Sequence, residues 1–152
     1  MRDSDSNLTK YQAKLDELIA EDSPAIFANY SRAHAHCIIR AFLTDAQKSV
    51  DILAGDFGND FYRDPSIRSA VLKAASNGAH IRIISLCTSE ESKEYVRNLA
   101  EESNRRGGEF LYVFARVRPG TQVKHYMIVD RKRYRLEDYH DEGAAIVHGD
   151  AS

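Results

Sequence analysis

The feature that most restricts the fold is an alternation in the middle of the chain. Three β-rich runs, VDILAG (Val50–Gly55), HIRIISL (His80–Leu86) and EFLYVFARV (Glu109–Val117), are separated by two longer segments with helical punctuation. Asp64-Pro65 supplies an N-cap acid followed by a proline at the first helical position, and Asn77-Gly78 supplies the stop. The next segment opens at Ser89-Glu90-Glu91 and closes at Gly107-Gly108. Neighbouring parallel strands need a crossover of a dozen or more residues, usually a helix. Strand, helix, strand, helix, strand at these lengths therefore predicts parallel βαβ units.

The flanks extend this frame. Residues 8–20 place Leu8, Tyr11, Leu15, Leu18 and Ile19 at helical spacing, and Asp22-Ser23-Pro24 ends the run. A second helix is expected from about Ala25 or Tyr30 to Gln47, with Ile38, Ile39, Phe42 and Leu43 as its apolar stripe. After Pro119-Gly120, QVKHYMIVD, KRYRLED and GAAIVHG read as three strands on short links. The expected architecture is an α/β three-layer sandwich with a mostly parallel central sheet. That one sheet holds Val50–Ala54, His80–Leu86, Phe110–Ala115 and Val123–Val129. Residues 1–47 are expected as a helical extension packed on a domain formed by 48–152.

Composition limits the class. Hydrophobic residues make up 43% and charged residues 29%, as in a globular domain. The longest uncharged apolar run, Phe110–Ala115, is about a quarter of a membrane span, and the amino terminus has no signal-peptide core. A cytoplasmic protein without membrane contact is expected. Cys37 and Cys87 lie in apolar segments and read as reduced core residues. The net charge of −2 disfavours general attraction to nucleic acid.

Two stretches resemble a known family. VDILAGDFGNDFYRDPSIRSAVLKAASNGAHIRIISL is similar to the first βαβ unit of phospholipase D-like domains. VKHYMIVDRKRYRLED resembles the segment that carries their histidine–lysine–aspartate motif, and GAAIVHGD the strand after it. The resemblance covers residues 48–150. It implies a phosphohistidine route for phosphodiester chemistry, with lysines holding the phosphate oxygens. It also implies that a single half pairs with a second copy around a shared site.

The motif itself, H-x-K-x₄-D followed by G-S-x-x-N, is poorly kept. Anchoring on Ile128-Val129-Asp130 puts Val123 at the nucleophile and His125 at the lysine, and only Asp130 matches. Glu137-Asp138 then replace Gly-Ser, and Asp141 replaces the asparagine. Sliding the register to make His125 the nucleophile puts Met127 on the lysine and Lys132 on the aspartate. Valine cannot act as a nucleophile, and added carboxylates repel a phosphodiester.

The candidate catalytic residues are accordingly His125 and Asp130. The candidate phosphate-binding residues are Lys124, Arg131, Arg133 and Arg135, because Arg131, Arg133 and Arg135 share one side of a strand. No metal or cofactor is expected: the acidic run EDYHDE reads as a solvated turn, although its oxygens would suit Mg²⁺, Mn²⁺ or Zn²⁺. His34 and His36 point to different sides of a helix and cannot share a metal. Asp56 and Asp60, after the first parallel strand, read mainly as turn formers.

The function expected is a diverged, catalytically inactive phospholipase D-like domain that acts by binding, as a homodimer, with a protein partner or, weakly at most, nucleic acid. One alternative is a phosphodiesterase or nuclease with a non-standard site. Another is a structural subunit that docks through its amino-terminal helices.

Overall fold

A computed structural model describes residues 2–20, 26–29, 32–86, 89–121, 123, 125–139 and 144–148. Its centre is the expected alternation. Strand β2 (Ser49–Ala54), helix α4 (Pro65–Ser76), strand β3 (His80–Ser85), helix α5 (Glu90–Arg105) and strand β4 (Glu109–Phe114) follow one another, and β2, β3 and β4 are adjacent and parallel. The local signals act as anticipated. Asp64 caps α4 by accepting from the Ser66 N–H, with Pro65 at the first position, and Ser89 caps α5 by accepting from the Ser92 N–H. Gly78 and Gly107 leave the two helices at φ of 85° and 100°, a region closed to most residues with a Cβ. A short helix α3 (Asp60–Arg63) fills part of the loop after β2.

The carboxy-terminal meander forms β5 (His125–Val129), β6 (Arg133–Tyr139) and β7 (Ala144–His148), joined antiparallel. β5 pairs antiparallel with β2, so the four strand segments expected in one sheet are in one sheet. The sheet order is β1-β7-β6-β5-β2-β3-β4.

Three details differ from the sequence expectation. The sheet is mixed rather than mostly parallel, because every strand after β4 is reached by a hairpin or return loop, and β5 joins β2 antiparallel. The amino-terminal segment is not purely helical: between α1 (Arg2–Ala20) and α2 (Arg32–Asp45), Ile26–Asn29 forms β1, antiparallel to β7. A four-residue strand gives almost no periodicity of its own, and its partner lies more than a hundred residues away.

The third difference concerns the layers. The helices lie on one face of the sheet. β2, β3 and β4 succeed one another in the same direction across the sheet, so two right-handed crossovers put α4 and α5 on the same side. α2 packs beside α4 and α1 beside α2, continuing that layer. The strands record the result. Val50, Ile52, Ala54, Ile81, Ile83, Phe110, Met127 and Val129 are buried under the helices, whereas Ile84, Leu111 and Val113 on the opposite face are exposed. Among the described residues the domain has two layers, not three.

The core lies between sheet and helices and includes residues on both sides of position 47. Ile38, Ile39, Phe42 and Leu43 of α2 are fully buried with Leu15 of α1. At about 1.5–3 kcal/mol for each large apolar side chain buried, α2 is an integral part of the core.

Candidate functional site

In α/β sheets the carboxyl ends of parallel strands are the usual place for ligands. Here that end is formed by the loop after β2, the start of α5 and the start of β5. Gly55, at the end of β2, lies against the imidazole of His125: a Cβ on Gly55 would come within 2.9 Å of Cε1 and 3.1 Å of Nε2. His125 is half-buried and stands opposite Glu137 in the register of β5 and β6. The loop beside it is fixed by its own polar groups. Asp56 accepts from the Gly58 N–H at 2.8 Å and from the Ser92 hydroxyl at 3.1 Å, and the Ser85 hydroxyl accepts from the Phe57 N–H at 3.1 Å. Asp56 is thus a turn former. Asp60 sits exposed in the first turn of α3.

Asp130 is at the other end of β5. Five residues at about 3.3 Å each separate it from His125 by roughly 16 Å along the strand. One of its carboxylate oxygens accepts from the backbone N–H groups of Lys48 (2.7 Å), Ser49 (3.0 Å) and Gln47 (3.1 Å); the other accepts from Gln47 at 3.0 Å. The carboxylate therefore ties the entry of β2 to the β5–β6 turn. The two residues proposed as a catalytic pair are not brought together, and Asp130 has a structural task.

The three described candidates for phosphate binding, Arg131, Arg133 and Arg135, are also dispersed. Arg131 is exposed in the β5–β6 turn, at the edge of a depression of about 560 Å³ that Lys48, His80, Arg82 and Glu109 help to line. Arg133 and Arg135 are buried on the helix-covered face, at 4% and 5% exposure. Arg133 donates to Asp45 at 2.8 Å and to the Ile19 carbonyl at 3.1 Å, joining β6 to the ends of α1 and α2. Alternation holds for Arg133 and Arg135, which share a face of β6 that points into the protein, but Arg131 lies in the turn outside the strand and is not grouped with them. Lys124, like Cys87, His140 and Asp141, lies outside the described residues, as do the side chains of Glu137 and Asp138.

Sequence reading missed one polar cluster. His36 of α2 meets the Ser66 hydroxyl at 3.0 Å and Asp64 at 3.3 Å through the same nitrogen, Nε2, and Ser66 donates to Asp64 at 2.7 Å. Hydrogen bonds from the Ser66 hydroxyl and N–H, with help from His36, hold the Asp64 carboxyl down to about 2. A nucleophilic triad needs the acid on the far nitrogen of the histidine. Here both partners share one nitrogen, so the cluster fastens the start of α4 to α2. The cap was visible in Asp64-Pro65; the distant histidine was not. Cys37 is buried, and burial pushes its thiol up, which keeps it protonated and unreactive. Among the described residues no cluster of three or more His, Cys, Asp or Glu could hold a metal, and no helix is long and apolar enough to cross a membrane.

No protein-family model and no curated protein sequence matches the chain. Solved structures do. NucT from Helicobacter pylori is similar at 16% identity and a TM-score of 0.54, over 84% of this chain and 85% of that one. TrmBL2, an archaeal chromatin protein whose structure shows a novel mode of DNA binding, is similar at 13% identity and a TM-score of 0.57. That likeness covers 99% of this chain but only 57% of TrmBL2. Identities this low speak to the fold. The mixed α/β sheet and its helices have the phospholipase D-like fold.

Proposed function

We propose that this chain is a phospholipase D-like domain that has lost phosphodiester chemistry and acts by binding, paired with a second copy of itself. The observation that carries the loss of chemistry is the position of the motif residues. Valine stands where the nucleophile belongs, and the one matching residue, Asp130, spends its carboxylate on three backbone N–H groups. Two of the four arginine and lysine candidates for a phosphate clamp, Arg133 and Arg135, are buried beneath helices. A covalent route lacks its nucleophile, and among the described residues an electrostatic route lacks converging cations.

Purified protein is expected to give no turnover of bis-p-nitrophenyl phosphate, with or without added Mg²⁺, Mn²⁺ or Zn²⁺. Hydrolysis abolished by His125→Ala would overturn this reading and restore a phosphodiesterase or nuclease. DNA binding, which TrmBL2 performs, is disfavoured here by the net charge of −2 and by the withdrawal of Arg133 and Arg135.

A further inference from the structure

Among the described residues no layer covers the face of the sheet opposite the helices, and pairing registers reveal its order. Across five strands, Leu136 of β6, Tyr126 of β5, Leu53 of β2, Ile84 of β3 and Val113 of β4 are successive partners. They form one apolar row. The next row, two residues along each strand, reads Tyr134, Ile128, Asp51, Arg82 and Leu111. Within it Arg82 donates to Asp51 at 2.6 Å. Beyond this the face turns polar, with His80 and Glu109 in contact at 3.0 Å. Val113 is 60% exposed, Leu111 55% and Ile84 38%. A contiguous apolar patch with a polar margin is the usual anatomy of an interface.

Its shape selects the occupant. Five strands spaced by about 4.8 Å give a row roughly 19 Å across, about twice the width of a helix. One helix would leave half of the row in water, whereas a second sheet would cover four of its five strands. Packed sheets lie about 10 Å apart and interdigitate their facing side chains. Charge points to a sheet from this same chain. A two-fold axis along the strands, between β2 and β3, sets Leu53 over the partner's Ile84 and Tyr126 over the partner's Val113. The same operation sets Ile128 over the partner's Leu111 and Asp51 over the partner's Arg82. Apolar groups meet apolar groups, and each carboxylate meets a guanidinium, so the face is complementary to its own copy.

We infer that two copies of this chain associate through this open face, sheet against sheet, with Asp51 and Arg82 exchanging partners across the axis. The inference rests on the homodimer reading above and specifies the surface that carries it. Sedimentation equilibrium on the full chain is the test. The wild type is expected to have the mass of two chains at 10 μM. Leu111→Lys with Val113→Lys, both at exposed positions, is expected to weaken association at least 100-fold with unchanged circular dichroism. Asp51→Arg and Arg82→Asp should each weaken self-association, and mixing the two variants should restore a dimer of one chain of each kind. A wild type that stays monomeric at 100 μM would overturn both the homodimer and this surface. A dimer that survives the lysine pair, or mixed variants that fail to associate, would leave the homodimer standing and overturn this surface.

Discussion

Asp130 and Arg131 occupy the turn between β5 and β6, with φ of 55° and 58°. The Lys132 N–H donates to the Val129 carbonyl at 3.1 Å across them, which with two positive φ values is the pattern of a type I′ hairpin turn. Glycine or asparagine normally fills such positions. Asp130 suits its place because its carboxylate collects the N–H groups of residues 47–49, while exposed Arg131 has only the strain. Asp130→Ala is therefore expected to cost about 2 kcal/mol, since three donors lose a charged acceptor. Arg131→Gly should stabilise by up to about 1 kcal/mol, relief of the left-handed conformation outweighing the added freedom of the unfolded chain. Urea denaturation of both variants checks the signs. Nothing in V-D-R-K-R announces this division of labour: the sequence shows a motif aspartate, and only the long-range contact to residues 47–49 shows what it does.

At the scale of elements, the loop after β2 is held to α5 by a glycine. A Cβ on Gly58 would lie 2.5 Å from both Cα and Cβ of Ser92, a contact with backbone that no rotamer change relieves. The Arg63 guanidinium donates to the Gly58 carbonyl and to Glu91, so the same junction carries polar ties. Gly58→Ala should force the loop and α5 apart and lower stability by about 3 kcal/mol. Thermal unfolding followed by circular dichroism would detect it, and an unchanged midpoint would show that the two elements are not closely packed. Helices and strands were legible here because caps and periodicity are local. The one-sided layering was only partly legible in HIRIIS: His80-Ile81-Arg82-Ile83 alternates polar with apolar, as in a strand with one face in water, but Ile84-Ser85 reverses the pattern, with Ile84 exposed and Ser85 buried. Parallel strands usually sit between two helix layers, and that general expectation hid the evidence of this particular strand.

For the whole molecule, charge and burial act together. The chain carries 21 basic and 23 acidic residues. The described structure uses many of the cations internally: Arg68 with Glu102, Arg63 with Glu91, Arg82 with Asp51 and Arg133 with Asp45. Binding that neutralises phosphates weakens steeply with salt because counterions are released. Labelled single- and double-stranded DNA are expected to show no saturable binding at 0.15 M salt. Tight binding with a steep salt slope, lost in Lys48→Glu with Arg131→Glu, would show that the depression beside the β5–β6 turn is a nucleic-acid surface after all. The candidate site was the least legible part of the sequence. Strand alternation gives which residues share a side of β6, yet not which side the helices cover.

The pairing of β1 with β7 sets Ile26 beside His148. One margin of the sheet therefore joins residues separated by more than a hundred positions, among the least local contacts the fold makes. During synthesis, β1 must wait for more than a hundred further residues before its sheet partner exists. The βαβ core from β2 to β4 can form first, since its contacts are shorter in range and cost less loop entropy. The molecule should mature from its middle outward, with its first and last strands closing the sheet as one late event.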